Sequence, residues 1–588
     1  MLIRVSNVGA VGVIKDLSPN ELPPEAWSDG LNVRFESRYA KKINGHEVVF
    51  DITVGASTAT QALAVSPWFV LPVETNSEHV IIYAGKDGVY AANQLGNQHR
   101  LTRATSASYS SASSNTFTDT TALAYSATAN IRWNGCVLAG VPLLNNSVNE
   151  PQAWVTASVG DGNWLRTLQW DFSAAESWAT RSAGAVTCKA MRSYRNYAIA
   201  INTTENSINY PRRVRWSHPA VPGSMPETWD ETRVDKDASY HDFEETTDIV
   251  VDGLQLRDIF VVYKEHTTWA MQWVGGQFVM SIRQLFPTFG IMSANCVVEI
   301  NGRHVVLTDN DVVIHDGLSA DSIIEEKWRN QLFDEINWTY FSNCFLTRNV
   351  EEDEVWICYP STSATEPYWC DKALVWNWRH QTWYQRQIPK ASHIVPSKIQ
   401  WGEEASPRFT WQSVAGTWAT ITQPAQWGVS SLARPSRALI GAYPEDRSGS
   451  SSATVSPLSS SSLLRLNRTD AFNASNITSY LQREALPLGA QDRFGSIKVD
   501  LQRYKYIKRI WPYVVADDGT VITISVGIQS RTNDDIVWVD SVPFVVGYQE
   551  YVNVRTVGRV ISIRFENVSQ AAWTLTGYDI ELDFEGIY

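Results

Sequence analysis

Methionine, cysteine and charge are all scarce in this chain for its size. Its 588 residues include 6 Met and 6 Cys, and only 19% are charged. Such low charge, with 44% apolar residues, excludes an intrinsically disordered protein and leaves material for a sizeable core. The cysteines are Cys136, Cys188, Cys296, Cys344, Cys358 and Cys370. No two stand in C-x-x-C spacing and no His lies at zinc-finger distance, which excludes a zinc ribbon and argues against a disulfide framework. They are expected to be reduced core residues. No run of about 18 apolar residues occurs, so no membrane-spanning helix is expected. Met1 to Asp16 lacks an apolar stretch followed by a cleavage site, so no secretory signal is expected either. The expectation is a chain made and folded in a reducing cytoplasm.

Catalytic signatures are absent as well. There is no G-x-x-x-x-G-K-[ST] loop, no H-E-x-x-H and no G-x-S-x-G. Repeated Asp-box turns of the S-x-D-x-G-x-x-W type are missing, the nearest segment being Ser413 to Trp418 (SVAGTW). Glu351, Glu352, Asp353 and Glu354 supply carboxylates of the kind used in glycoside hydrolysis. They are consecutive and precede a strand, so an acidic turn is expected. His304 and His315 read as solvated or hydrogen-bonded residues of a strand pair. The chain is therefore read as not an enzyme, with no catalytic, cofactor-binding or metal-ligating residues and no cofactor.

Aromatic residues, by contrast, are abundant: 25 Trp, 23 Tyr and 19 Phe. They favour half-buried pleated surfaces and anchor interfaces. A carbohydrate-binding surface also uses them. Short apolar runs broken by Gly, Asn or Asp dominate the chain. His79 to Asn93 (HVIIYAGKDGVYAAN) predicts two strands around Lys86-Asp87-Gly88, and Asn301 to Gly317 (NGRHVVLTDNDVVIHDG) predicts two around Asp-Asn-Asp. Val355 to Tyr359 and Ala373 to Trp378 form a third pair. Helical periodicity is scarce, and the best candidate is a short helix around Ser322 to Phe333.

Recurrent paired strands over units of about 40 to 55 residues, each with a Trp, predict an all-β chain built as a β-propeller of about five to seven blades. Alternation such as Val521-Ile522-Thr523-Ile524-Ser525-Val526 predicts a separate C-terminal β-sandwich of about seven or eight strands as an accessory platform. The expected divisions are an N-terminal segment 1–50 belonging to the platform or first blade, a propeller region 51–446, a Ser-rich linker 447–470 and a C-terminal sandwich 471–588. Thr102 to Asn130 and Arg447 to Ser462 read as exposed loops or linkers. The basic stretch Arg493 to Arg509, with Lys498, Arg503, Lys505, Lys508 and Arg509 between aromatics, reads as a guarded sheet edge or an interface in preference to a single-strand binder.

Several segments carry a resemblance. Leu22 to Phe35 reads LPPEAWSDGLNVRF and Ala40 to His46 reads AKKINGH. Trp133 to Trp154, Arg215 to Trp229 (RWSHPAVPGSMPETW), Arg257 to Gly276 and the strand pair ending His315-Asp316-Gly317 continue it over most of residues 1 to 440. Val557 to Phe565 and Trp573 to Tyr578 (WTLTGY) extend it to the end. In these segments the chain resembles the tail nozzle proteins of short-tailed phages, also called tail tubular protein B. The resemblance implies a virion structural protein, located in the tail and assembled in the host cytoplasm. It implies a hexameric homo-oligomer ring below the portal and adaptor, with tail fibre, spike or needle proteins as neighbours and double-stranded DNA passing through it during ejection. The alternative is a glycan-binding or glycan-degrading virion propeller, motivated by the tryptophans.

Formal net charge is −13, so six copies carry about −78 before counterions. A static DNA holder needs a basic patch, whereas a passive conduit benefits from repelling phosphate. The acidic stretch Glu227, Asp230, Glu231, Asp235, Asp237, Asp242, Glu244, Glu245 and Asp248 is opposed within its span only by Arg233 and Lys236. It reads as a solvated loop, as an acidic channel lining facing DNA, or as a group of oxygen ligands without EF-hand spacing.

Overall fold

The computed structural model describes residues 1–51, 66–74, 79–86, 88–93, 98–103, 123–125, 131–155, 164–276, 278–397, 438–444, 462–472, 475–486, 488–489, 503–531 and 534–584. Strands dominate them, and the only helices among them are Arg329–Glu335 and the 3-10 turn Trp338–Asn343. The chain is an all-β protein of propeller type. The helix begins later than expected because Ala320–Ser322 is a strand and Trp328, buried ahead of the first turn, donates its indole N–H to the Val13 carbonyl at 2.7 Å. The Asp16 carboxylate then accepts the Asn330 and Gln331 amides at 3.0 and 3.3 Å, capping the helix from far away in sequence.

Contacts divide the chain into two units, both discontinuous in sequence: Val48–Thr288 with Ser392–Arg465, and Met1–Glu47 with Phe289–Ala391 and Leu466–Tyr588. Residues 289–391 thus group with the strands at the two ends of the chain.

The first unit is a series of four-stranded sheets. Phe69–Glu74, His79–Ala84, Val89–Asn93 and Gln98–Arg103 form an antiparallel meander, with Val89 opposite Ala84 as the hairpin signal predicts. A second meander (Asn134–Leu138, Val141–Asn145, Gln152–Ala153, Trp164–Thr167) joins it through a parallel pairing of its last strand. Val186–Tyr194, Tyr197–Glu205, Ile208–Trp216 and Ser239–Asp242 form the third, and Val250–Leu256, Ile259–Lys264, Thr268–Trp273 and Met280–Phe286 the fourth. Each buried cluster is shared by consecutive sheets. Ala190, Ile199 and Val214 pack with Phe260, Val262 and Met271, and Leu143 and Ala153 pack with Met191 and Ala200. Sheets that bury both faces against neighbours read as near-continuous apolar runs, as in His79–Ala84 and Ile259–Lys264, and their recurrence as paired strands is the propeller pattern read from the sequence.

The remaining sheet of this unit takes His393–Ser397, Ala438–Tyr443 and Ser462–Leu466 from late in the chain and His46–Asp51 from its start. Ser462–Leu466 is a buried strand, so the expected linker 447–470 ends in structure, Leu463, Leu464 and Leu466 providing its apolar positions. Residues 447–461, and 104–122 with 126–130 of the other low-complexity stretch, lie outside the described residues.

The second unit holds two further four-stranded groups, Val297–Ile300 to Ala320–Ser322 and Phe345–Asn349 to Thr382–Ala391. Seven such groups therefore occur among the described residues of the chain. The unit also holds a sandwich. Lys505–Ala516, Val552–Gly558 and Trp573–Phe584 lie in one sheet, while Ile477–Arg483, Val521–Gln529, Val537–Val545 and Val560–Ser569 lie in another. N-terminal strands complete both: Leu2–Ser6 pairs with Trp573–Phe584, and Asp29–Leu31 pairs with Ile477–Arg483. Trp27 joins the layers. Its ring centroid is 6.1 Å from Phe565 and 6.3 Å from Tyr578, and its N–H donates to the Val8 carbonyl. Lys505–Ala516 runs between two strands of its sheet, so the expected guarded edge is corrected to an interior strand. Lys505 is buried and donates to the Arg503 and Arg559 carbonyls, while Lys508 pairs with Asp583. Residues 493–502 of that basic stretch lie outside the described residues.

Candidate functional site

Residues Glu227 to Asp248 lead from the third sheet of the first unit to the fourth, and strand pairing supplies what the sequence alone hides. Arg213 and Arg215 point to one face of Ile208–Trp216, because alternate residues share a face. Asp242 lies opposite Arg213, and Tyr240 opposite Arg215, on the adjoining strand. Arg213 clasps Asp242 with two bonds of 2.7 Å, its guanidinium lying 3.9 and 4.0 Å from the Tyr210 and Tyr240 ring centres. Arg215, with no exposed surface, bonds Glu205 at 2.9 and 3.1 Å and Glu231 at 2.7 Å. Glu205 also takes Arg213 at 3.2 Å and Arg181 at 3.3 Å, so one carboxylate serves three guanidiniums. Burial pushes the Glu205 carboxyl up, but Arg215 and Arg213 outweigh it and hold it below the usual range. Trp170 lies beside both Arg181 and Arg215, at 4.1 and 4.9 Å from its ring centre.

The other acids of the stretch are engaged as well. Glu227 pairs with Lys236, Asp235 with Arg233, Glu244 with Arg212, and Glu245 with His241. Asp230 accepts from the Thr232 amide and hydroxyl, and Asp237 from the Tyr197 hydroxyl. Asp248 meets Lys264 at 3.1 Å; burial works against its charge, but bonds from Thr246, Lys264, His266 and Thr267 hold it at about 2. Four of the acids, Glu231, Asp242, Glu244 and Asp248, are thus paired with Arg215, Arg213, Arg212 and Lys264, which lie outside the stretch in sequence. The segment RRVRW at Arg212 to Trp216 was the signal that could have found them. Asp235, Glu244 and Glu245 are the exposed carboxylates.

A second polar cluster lies in the other unit. Glu351, Glu352 and Asp353 form the expected turn, while Glu354 begins a strand and is buried. Its carboxyl accepts from the Tyr384 hydroxyl at 2.8 Å and the Trp356 indole at 2.9 Å. Burial pushes its pKa up, against the pull of Arg34 and Arg386. Arg386, 1% exposed, stacks 4.0 Å over Trp356. His304 and His315 are both buried, not solvated, with ring centres 5.4 Å apart. None of the six cysteines is in a disulfide, and burial pushes the Cys136 thiol up to about 12, the mark of an inert thiol. Among the described residues no group of three or more His, Cys, Asp or Glu side chains is placed to hold a metal ion. No helix among them is long and apolar enough to cross a membrane.

No family model and no curated protein matches the chain. Solved structures do. A fungal alcohol oxidase of the AA5 family, in complex with copper, is similar with a TM-score of 0.35 and 7% identity, over 89% of this chain and 98% of that one. A mutant Trypanosoma rangeli sialidase displaying trans-sialidase activity gives 0.27 and 8%, over 92% and 94%. The AfRom2 CNH domain gives 0.33 and 8%, over 73% and 99%.

The reading of the chain as not an enzyme is corrected here, because the similar structures include an oxidase and a sialidase. Its premise was an absence of local motifs. Catalytic groups on strand-rich scaffolds come from loops far apart in sequence, so motif scanning does not exclude catalysis. At these TM-scores the likeness assigns no activity to this chain.

Proposed function

We propose that this chain is a structural subunit of the tail nozzle of a short-tailed phage, repeated around a central axis as a ring through which the genome leaves. The observation that carries the proposal is the company kept by the segments bearing the family resemblance. Trp27, from the LPPEAWSDG segment, meets Phe565 edge-to-face and Tyr578 at a tilt, and these two residues come from the two C-terminal segments of the same resemblance. Segments that carry the resemblance, though far apart in sequence, thereby pack together in this chain. The rigid sheets with buried aromatic faces suit a load-bearing wall. Of the acidic stretch, Asp235, Glu244 and Glu245 are the exposed carboxylates and would meet a passing duplex. Averaged electron micrographs of purified tails, with an antibody to this chain, test the proposal. A rotationally symmetric ring on the tail axis is expected, and labelling away from the axis refutes it.

A second reading, a glycan-binding or glycan-degrading virion propeller, is favoured by one surface. Trp338 is 47% exposed and lies between Phe333 and Phe341, with the Tyr340 and Tyr368 rings in mutual contact nearby in sequence and fold. Against it, Trp27, Trp154, Trp178, Trp229, Trp328, Trp356, Trp383 and Trp573 are fully buried, so the tryptophan excess is mainly core. Host polysaccharide binding that disappears in Trp338→Ala would establish this second reading.

A further inference from the structure

The sandwich carries an open edge. Val537–Val545 pairs with Val521–Gln529 on one side and, among the described residues, with no strand on the other. Three consecutive residues on it are exposed, Val537 by 61%, Trp538 by 37% and Val539 by 49%. An edge with outward backbone groups and apolar side chains is a template for another strand. Pro543, which has no N–H, stops the ladder at the far end and confines an added strand to the Val537 side. Exposed Asp534 and Asp535 immediately precede this edge, making it acidic as well as apolar.

A second open edge has the opposite character. Met280–Phe286 pairs, among the described residues, only with Thr268–Trp273. Beside it Trp273, Val274 and Phe278 are exposed by 40%, 53% and 76%. Arg283 is exposed on the strand itself, and the Arg195 guanidinium lies 5.3 Å from the Trp273 ring centre. This edge is basic and aromatic.

We infer that the two edges bind each other between copies: the acidic edge at Val537–Val545 of one chain adds to the basic aromatic edge at Met280–Phe286 of a second. Charge of opposite sign steers the encounter, the backbone ladder sets the register, and the exposed rings and valines lose water together. Two different surfaces meet, so the contact is head-to-tail and repeats by rotation. The inference rests on the ring reading above and names the contact that builds the ring.

Sedimentation velocity and mass photometry of the full chain test it. The unaltered chain is expected to assemble. Arg283→Glu and Val539→Pro are each expected to weaken assembly at least tenfold while leaving near-UV circular dichroism unchanged. Asp535→Lys is expected to restore assembly in the Arg283→Glu background, a rescue that no folding defect produces. Should Val539→Pro fail to fold, the charge exchange alone decides. Assembly unaltered by Arg283→Glu overturns the inference and leaves the ring reading standing. A chain that stays monomeric at every concentration overturns both.

Discussion

Glu205→Gln removes one charge and takes a partner from three guanidiniums. The carboxylate takes Arg181, Arg213 and Arg215 at 3.3, 3.2 and 2.9 Å. Arg213 keeps Asp242, and Arg181 keeps the Trp170 ring. Arg215 has no exposed surface and keeps only Glu231 and the two rings. Taking one partner from a buried ion pair costs about 3–5 kcal/mol. The amide oxygen retains one acceptor and Glu231 remains, so the low end applies, about 3 kcal/mol. A chain of two units need not unfold in one step, so a local measurement is the right one. Hydrogen exchange read by mass spectrometry over Tyr197–Glu205 and Ile208–Trp216 should speed up on the order of 100-fold through local opening. Peptides from the sandwich should be unchanged. Exchange within about threefold of the unaltered chain would show that the guanidiniums are not held by this carboxylate, and the ion-network account would fall.

Three further outcomes follow from other parts of the molecule. Burial holds His46 at about 4 and His315 at about 3, below the usual value, so the unfolded chain takes up protons first as pH drops; stability is full above pH 7 and declines from about 6.5 towards 4. His46→Asn should flatten that decline between pH 6.5 and 5 in denaturant titrations, and an unaltered slope contradicts the assignment. Trp27→Ala should cost about 3–5 kcal/mol by opening a cavity against Phe565 and Tyr578, measured as a lower urea midpoint for the sandwich; a loss under 1 kcal/mol would mean the rings do not join the layers. Gly45→Ala should fail to fold normally, because an added Cβ would sit 2.0 Å from the Ala471 carbonyl oxygen; wild-type solubility and melting would show that the backbones are free to part.

Strands were legible where one residue type repeats at period two. The run Val521 to Val526 reads as a strand because Ile522 and Ile524 are buried beside less buried Val521 and Thr523, as in the structure. The hairpin at Lys86-Asp87-Gly88 was legible because turn chemistry is local. What sequence order hid was pairing across long distances. Nothing in HEVVFD says that it borders a strand more than 400 residues on. The acids at Glu227 to Asp248 were read as net negative because their partners, Arg212 to Arg215 and Lys264, flank the window and do not fall inside it. Lys505 looked like an edge guard because a Lys buried at its ammonium by two carbonyls has the same letter as a solvated one.

The pairing of Leu2–Ser6 with Trp573–Phe584 sets a timetable for biosynthesis. Arg4 meets Asp579 across 575 residues of chain. At ribosomal speeds the opening strand waits about half a minute to two minutes for its mate. Throughout that interval the unit holding both strands has an unfilled seat, and the nascent polypeptide is open to capture by neighbours on the same message. Loss of Trp573–Phe584 should therefore be far more damaging than its length suggests, leaving Leu2–Ser6 without its partner.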